Sequence, residues 1–445
     1  MNSKELKIFT IVLAGFLIPC FVLGQNKPAI SSLNTNDSIG FQQVLQIVLD
    51  SHPAVLKAEE GIRSAEAGIA LAKSGYYPNI SAEAGYTRIG PVPKIDIPNL
   101  GSFQMAPYNN YNGELDVYET IYDFAKTARN IKTEESNKEI SEKNVALVKQ
   151  KLTLSTAVTY YNLVFLQEAI KIKEIEITNL KDHLDFITRK KETGSAIQYE
   201  ILSTQVRISG AENQRTDLQT SRITQSGMLN SLLGLPVSTE LKVRNSYTLT
   251  PPALQHDSLI SFAILHRYEM VIAKLSEKHA ELHLGSVKVQ NNPVFGAFGS
   301  GGVKNGYFPN LDQPIANYAV GVNLKIPVFD AARHKNNIRI ASSQLSMSRN
   351  DIDQTKRDIS SEVNENEAMV NAALQKITQY ELQARQSEEA LQLAKVNFNA
   401  GAITNLDLLD SETRNAETRL DLLKAKVDYT ISIVRLDISL GRPVN

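Results

Sequence analysis

The sequence predicts a mainly α-helical subunit with a small β part, built as an internal two-fold repeat. Three observations carry this. Two stretches, 124–193 and 331–400, each run 70 residues without a glycine or a proline. The chain matches itself at an offset of 207 positions. From Tyr318 to Ile326, every even position is apolar and the odd ones are small or polar.

The chain opens with Lys4 and Lys7 ahead of an apolar run at 8–23, followed by Gly24. This pattern reads as a secretory signal peptide over 1–24, too short for a transmembrane helix. The one cysteine, Cys20, lies inside it, and Pro19 directly before it argues against lipid attachment there. A chain cleaved after Gly24 has no cysteine and therefore no disulfide. The formal net charge of −1 becomes −2 without that segment, so no basic bias points to nucleic acid. No further window of about 18 apolar residues exists, so any entry into a membrane must be made by β-strands.

The repeat sets two halves, about 38–236 and 256–443. Tyr122-Asp123-Phe124-Ala125-Lys126 stands opposite Phe329-Asp330-Ala331-Ala332-Arg333, and Glu192-Thr193-Gly194-Ser195-Ala196-Ile197 opposite Asn399-Ala400-Gly401-Ala402-Ile403-Thr404. Gly234-Leu235-Pro236 stands opposite Gly441-Arg442-Pro443, still at 207. Upstream, Tyr77-Pro78 meets Asn292-Pro293 at 215, so eight extra residues fall in one loop near 88–110 of the first half. A period this long means two structural halves rather than a many-unit array.

Each half reads in the same order. A first helix is expected at roughly 38–75 and 256–289. Strands follow near 78–88 and 111–122, and near 293–303 and 317–329, each pair separated by a loop rich in Pro, Gly and Asn. Strands of about ten residues with one apolar face suit a transmembrane barrel. Four strands cannot close such a barrel, and lipid tolerates no open edge. Three copies would supply twelve strands. The competing reading of the same strands is a soluble β patch capping a helical bundle.

The 70-residue stretches come next. Glycine costs a helix interior about 1 kcal/mol and proline about 3, so their absence predicts helices on the order of 105 Å long. Two apolar stripes run along the first. One passes Leu147, Leu154, Val158, Tyr161, Phe165, Ile172 and Ile175; the other passes Leu152, Leu163, Leu166, Ile170, Ile177, Leu180, Leu184 and Ile187. Two seams predict a neighbour on each side, as in a closed cylinder. Gly194 and Gly401 suit the left-handed position that ends a helix, and a returning helix follows each.

At this point the chain resembles the TolC-like outer-membrane efflux family. The residues that carry the resemblance are the segment Gly401-Ala402-Ile403-Thr404-Asn405-Leu406-Asp407-Leu408-Leu409-Asp410, Tyr77-Pro78 before a strand, and Ile326-Pro327-Val328-Phe329-Asp330 leaving one. They recur in the family's helix–strand–strand–long helix–helix order, duplicated over 38–445. The resemblance implies a homotrimer with a twelve-stranded barrel in outer-membrane lipid and a helical tunnel through the periplasm. The tunnel would meet a periplasmic adaptor protein and an inner-membrane transporter, giving an exit duct for efflux or type I-like secretion. It also implies that an aspartate pair lines the narrow periplasmic mouth, which falls on Asp407 and Asp410. Glu200, six residues after Gly194 as Asp407 is six after Gly401, joins them through the repeat. Rings of like charge would raise some carboxylate pKa values and favour cations. A tyrosine and an arginine that help hold the family's mouth shut are replaced here by Phe398 and Ile403, so closure is expected to rest on packing. Gly194, Ser195, Gly401 and Ala402 fall in the turns expected to dock the adaptor.

Nothing in the sequence points to catalysis or a cofactor. His279 and His283 stand four apart, but Glu281 is not placed for an HExxH site and no third ligand is evident, so no metal is expected. P-loop, GxSxG and Rossmann patterns are absent from the sequence. The alternative to a channel is a periplasmic coiled-coil adaptor or scaffold without a pore, which would leave the alternation at 318–326 without a purpose.

Overall fold

Residues free of glycine and proline for 70 positions have one low-energy choice, and the molecule is organised around it. A computed structural model describes residues 38–98, 101–245 and 256–443, so the expected signal segment and Cys20 lie outside the described residues. The elements are α1 (Phe41–Ser51), α2 (Pro53–Lys73), β1 (Asn79–Arg88), β2 (Lys94–Ile97), β3 (Gly101–Gln104), β4 (Asn109–Tyr122), α3 (Lys126–Glu192), α4 (Gln198–Leu233), α5 (His256–His266), α6 (Tyr268–Val289), β5 (Val294–Lys304), β6 (Ile315–Lys325), α7 (Arg333–Asn399) and α8 (Asn405–Ser439).

α3 and α7 are 67 residues each, about 100 Å long. They start later than the glycine-free stretches because Phe124, Ala125, Ala331 and Ala332 all take positive φ, from 52° to 71°. Left-handed backbone costs an L-residue about 1–2 kcal/mol. Asp123 and Asp330 offset part of it: their carboxylates accept the N–H of Thr127 at 2.7 Å and of His334 at 2.8 Å, satisfying first-turn donors of each long helix.

The expected first helix of each half is two helices. The first breaks at His52, whose backbone is extended because Pro53 follows it, and whose Nδ1 accepts the N–H of Ala54. The second breaks at extended Arg267, a buried guanidinium paired with Glu269 and Glu362.

The helices stack into columns. α2 runs along the sheet-proximal part of α3, through Lys138–Glu66 at 2.9 Å and Lys149–Glu59 at 3.7 Å. α4 takes over nearer the far end, with Gln225 donating to the carbonyl of Thr159 and Lys181 meeting Glu212. On another side of α3, α6 lies near its start (Lys278–Glu139, 2.8 Å) and α8 continues from about Gln150, which donates to the carbonyl of Ile438. α7 packs along α6 and α8. One chain thus gives four columns in the order α2/α4, α3, α6/α8, α7. Gly441 ends α8 with φ +75°, and a Cβ there would lie 2.9 Å from the carbonyl carbon of His266. The α6/α8 column is continuous because that residue has no side chain.

Two hydrophobic cores sit at the waist. Phe41, Val44, Leu45 and Val48 of α1 pack on Ala157, Tyr160, Tyr161, Leu163 and Val164 of α3 and on Leu229 and Leu233 of α4. Leu259 and Ala263 of α5 pack on Ile359 and Val363 of α7, with Tyr429 and Leu436 of α8. The Tyr160 hydroxyl donates into the strand-like contact of Ile39 with Val243, and burial pushes its pKa up to about 12. Of the two predicted stripes, the second is largely buried; in the first, Ile175 is exposed.

The four long strands form one antiparallel sheet in the order β1-β4-β5-β6. β6 stops at Lys325 rather than near 329, because Pro327 has no N–H to continue the ladder. The extra residues of the first half carry a small hairpin, β2–β3, that the sequence did not suggest. A register shift between Thr120 and Tyr122 follows Glu119, a charge on the same face as Leu115 and Val117, which thus sits at the helix end of the sheet.

Candidate functional sites on the sheet and at the turn-back tip

Register decides what the sheet can do. Pairing aligns Ile80, Ala82 and Ala84 with Val117, Leu115 and Gly113, those with Gly299, Gly301 and Val303, and those in turn with Val320, Tyr318 and Ala316. All lie on one face. The other face carries Ser81, Glu83, Asn112, Glu114, Asp116, Ser300, Asn317 and Asn323. Glu83, Glu114 and Asp116 bring carboxylate oxygens within 4.8 Å of one another there. The apolar face is uncovered, with Val320 78% and Tyr318 84% exposed. A soluble protein does not leave such a face to water. Among the described residues no helix is long and apolar enough to cross a membrane. β1 and β6 end the sheet, and no described strand pairs with their outer edges.

At the far end, two turns bring the chain back. In the first, Gly194 has φ +76°; its N–H bonds the carbonyl of Lys191 and that of Ser195 bonds Lys190. In the second, Gly401 has φ +74°; its N–H bonds Phe398 and that of Ala402 bonds Asn397. Both are Schellman closures, which need a left-handed residue.

The acids expected at the mouth begin the returning helices. The Glu200 carboxylate accepts the N–H of Ile197 at 3.1 Å, and that of Asp407 accepts the N–H and hydroxyl of Thr404 at 2.9 and 2.6 Å. These are capping contacts. The two hydrogen bonds from Thr404 hold Asp407 below the usual carboxylate range, so within one chain its pKa moves opposite to the rise expected of crowded rings. Asp407 and Asp410 are both exposed. Asp410 has a partner the sequence did not reveal, Arg207 of α4.

Phe398 is buried with Leu391, Ala394 and Leu408, and Ile403 packs against the same cluster. The Lys190 ammonium stands 5.0 Å from the Phe398 ring and 4.9 Å from that of Phe186. His183, in edge contact with Phe398, bonds Asn405 Oδ1 through Nε2 at 2.6 Å. The amide of Asn405 reaches the carbonyl of Glu200 and the hydroxyls of Ser203 and Thr204, tying the start of α8 to α3 and α4. Burial lowers the His183 pKa and raises that of Glu412 nearby, whose Oε2 has no hydrogen-bond partner among the described residues. These polar core residues have a sequence signal after all: Lys173, Glu176, Leu180, His183 and Ile187 follow alternating 3–4 spacing. His279 and His283 lie on α6, and among the described residues no third ligand joins them.

The comparisons with known proteins agree with this geometry. A family model described as "Outer membrane efflux protein" matches residues 44–235 and 259–442. The alkaline protease secretion protein AprF of Pseudomonas aeruginosa is 22% identical over 75% of this chain and 70% of its own length. The outer membrane protein TolC of Vibrio cholerae is 19% identical over 96% of this chain and 95% of its own. Among solved structures, the Campylobacter jejuni CmeC outer membrane channel superposes with a TM-score of 0.77 at 15% identity, covering 93% of this chain and 90% of that one.

Proposed function

From the premise that the chain belongs to the outer membrane efflux protein family, we propose that three copies assemble into one duct. The protein is an outer-membrane channel subunit with a helical extension into the periplasm, serving efflux or secretion. The observation that carries the trimer is the sheet: four strands, an uncovered apolar face, a polar face and two open edges. Three such sheets joined edge to edge give twelve strands with a polar lumen and a lipid-facing exterior. Four helical columns per chain continue the same count into twelve around a tunnel.

The proposed assembly has no catalytic step. Substrate enters at the tip and leaves through the barrel, with a periplasmic adaptor at the turns of Gly194, Ser195, Gly401 and Ala402 and an inner-membrane transporter beyond it. Residues 1–24 address the chain to the periplasm, and the mature subunit is one unit of two repeats. Asp407 and Asp410 line the mouth as rings of three, with Glu200 beside them, and favour cations. Phe398 and Ile403 close it by packing, which their shared apolar cluster supports.

The test is conductance of the detergent-extracted protein in planar bilayers. We expect cation-selective steps that multivalent cations block and that Asp407→Ala/Asp410→Ala frees from block. Protein that washes off membranes with urea and forms no pore would instead be a periplasmic scaffold.

A further inference from the structure

The two edge columns each carry an apolar stripe that nothing among the described residues covers. On α4 it is Tyr199, Leu202 and Val206; on α7 it is Leu393 and Val396. Their exposures run from 51% at Leu202 to 70% at Val206.

Their placement is specific in three ways. On α4 the face packed into the chain is Ile201, Thr204, Ile208 and Ala211. At 100° per residue the stripe lies roughly 170° from it. On α7 the packed face is Leu391, Ala394 and Phe398, and the stripe lies roughly 160° away. Both stripes therefore point along the wall of a cylinder, away from the chain's own columns. Second, they stand at one height: Tyr199 and Leu202 follow Gly194 by five and eight residues, and Val396 and Leu393 precede Gly401 by five and eight. Third, both are short, the α4 stripe ending at Val206 and the α7 stripe at Leu393. Farther from the tip the same faces are mostly polar, with Asn213, Asp217 and Thr220 on α4 and Glu389, Arg385 and Thr378 on α7, where Leu382 is an exposed exception.

We propose that the α4 stripe of one subunit packs against the α7 stripe of the next, forming an apolar latch between subunits that holds the tip closed at rest. The occupant is a second copy of this chain, because each stripe is the other's complement in chemistry and in height above the tip. This rests on the trimeric duct proposed above and adds its gate. Opening must part Tyr199, Leu202 and Val206 from Leu393 and Val396, so the resting state depends on burial and not on charge. It should then ignore salt: at about 1 M, where the screening length is about 3 Å, resting conductance should scale only with the bath.

The test uses the full chain in its membrane. Leu202→Cys and Val396→Cys are combined, with each single variant as a control. Oxidation should give a ladder ending in a covalent trimer from the double variant alone, and a fall in resting conductance that reductant restores. In a second arm, Leu202→Glu should raise resting open probability roughly tenfold, a shift of about 1.4 kcal/mol, and adding Val396→Lys should reverse most of it. A trimer that inserts and conducts but neither cross-links nor shows this rescue overturns the latch and leaves the channel standing. Cross-linking to a different protein overturns it too, giving the stripe to an adaptor. Absence of both trimer and conductance overturns the channel reading and the latch with it.

Discussion

Asp410 shows how a single side chain changes what a motif means. The sequence offered two mouth carboxylates as equals, yet one caps its own helix and the other is paired with Arg207. Arg207→Ala should therefore strengthen block by multivalent cations about two- to five-fold, the size of a half-exposed ion pair, read as the blocking concentration in bilayers. Glu412 gives a pH prediction. Burial raises its pKa, so in the folded state it holds its proton to higher pH than when unfolded. The stability this represents is present below about pH 4.5 and lost as pH rises through the folded value. Glu412→Gln should raise Tm by a few degrees at pH 8, and the gain should vanish towards pH 4.5. His183 runs the other way: its lowered pKa means stability that is full above about pH 6.5 and lost as pH falls through the folded value. His183→Gln, which keeps a donor for Asn405, should flatten that acid loss. The equivalence of Glu200 and Asp407 was legible in their equal distance from each glycine, but their capping contacts were not. Arg207 was not, because α4 and α8 meet only through the fold.

At the scale of elements, the glycine-free stretches predicted α3 and α7 to within a few residues, since nothing competes with helix there. The first helices were misread as continuous because a hydrophobic pattern passes through His52 and Arg267 while the backbone does not. The strand-to-helix joints were invisible, as no propensity announces alanine in left-handed backbone. Ala125→Gly and Ala332→Gly should each stabilise the protein by about 1 kcal/mol, against the usual sign for glycine near a helix, measured by thermal melts in detergent. The β2–β3 hairpin belongs to one half only. Replacing 89–108 by the shorter loop of the second half, 305–314, should leave trimer formation and conductance intact. If it does not, the hairpin has a role of its own at the barrel rim.

The architecture of the chain was the most legible level, because the repeat and the alternation at 318–326 each constrain the fold and agree. What no sequence window contained was the pairing of columns, which depends on α2 ending where α4 takes over and α6 where α8 does. That arrangement has a consequence for descent. The two turns sit level because α3 and α7 have the same length, and each returning helix spans the same distance back. Adding one heptad to α3 alone would lower one turn by about 10 Å and leave the other behind. A lineage could lengthen or shorten this protein only by four matched insertions or deletions at once, one in each long helix and one in each return. The reach of the duct is thus shielded from the small indels that ordinarily reshape proteins, and the gap it spans in the cell envelope must stay fixed along with it.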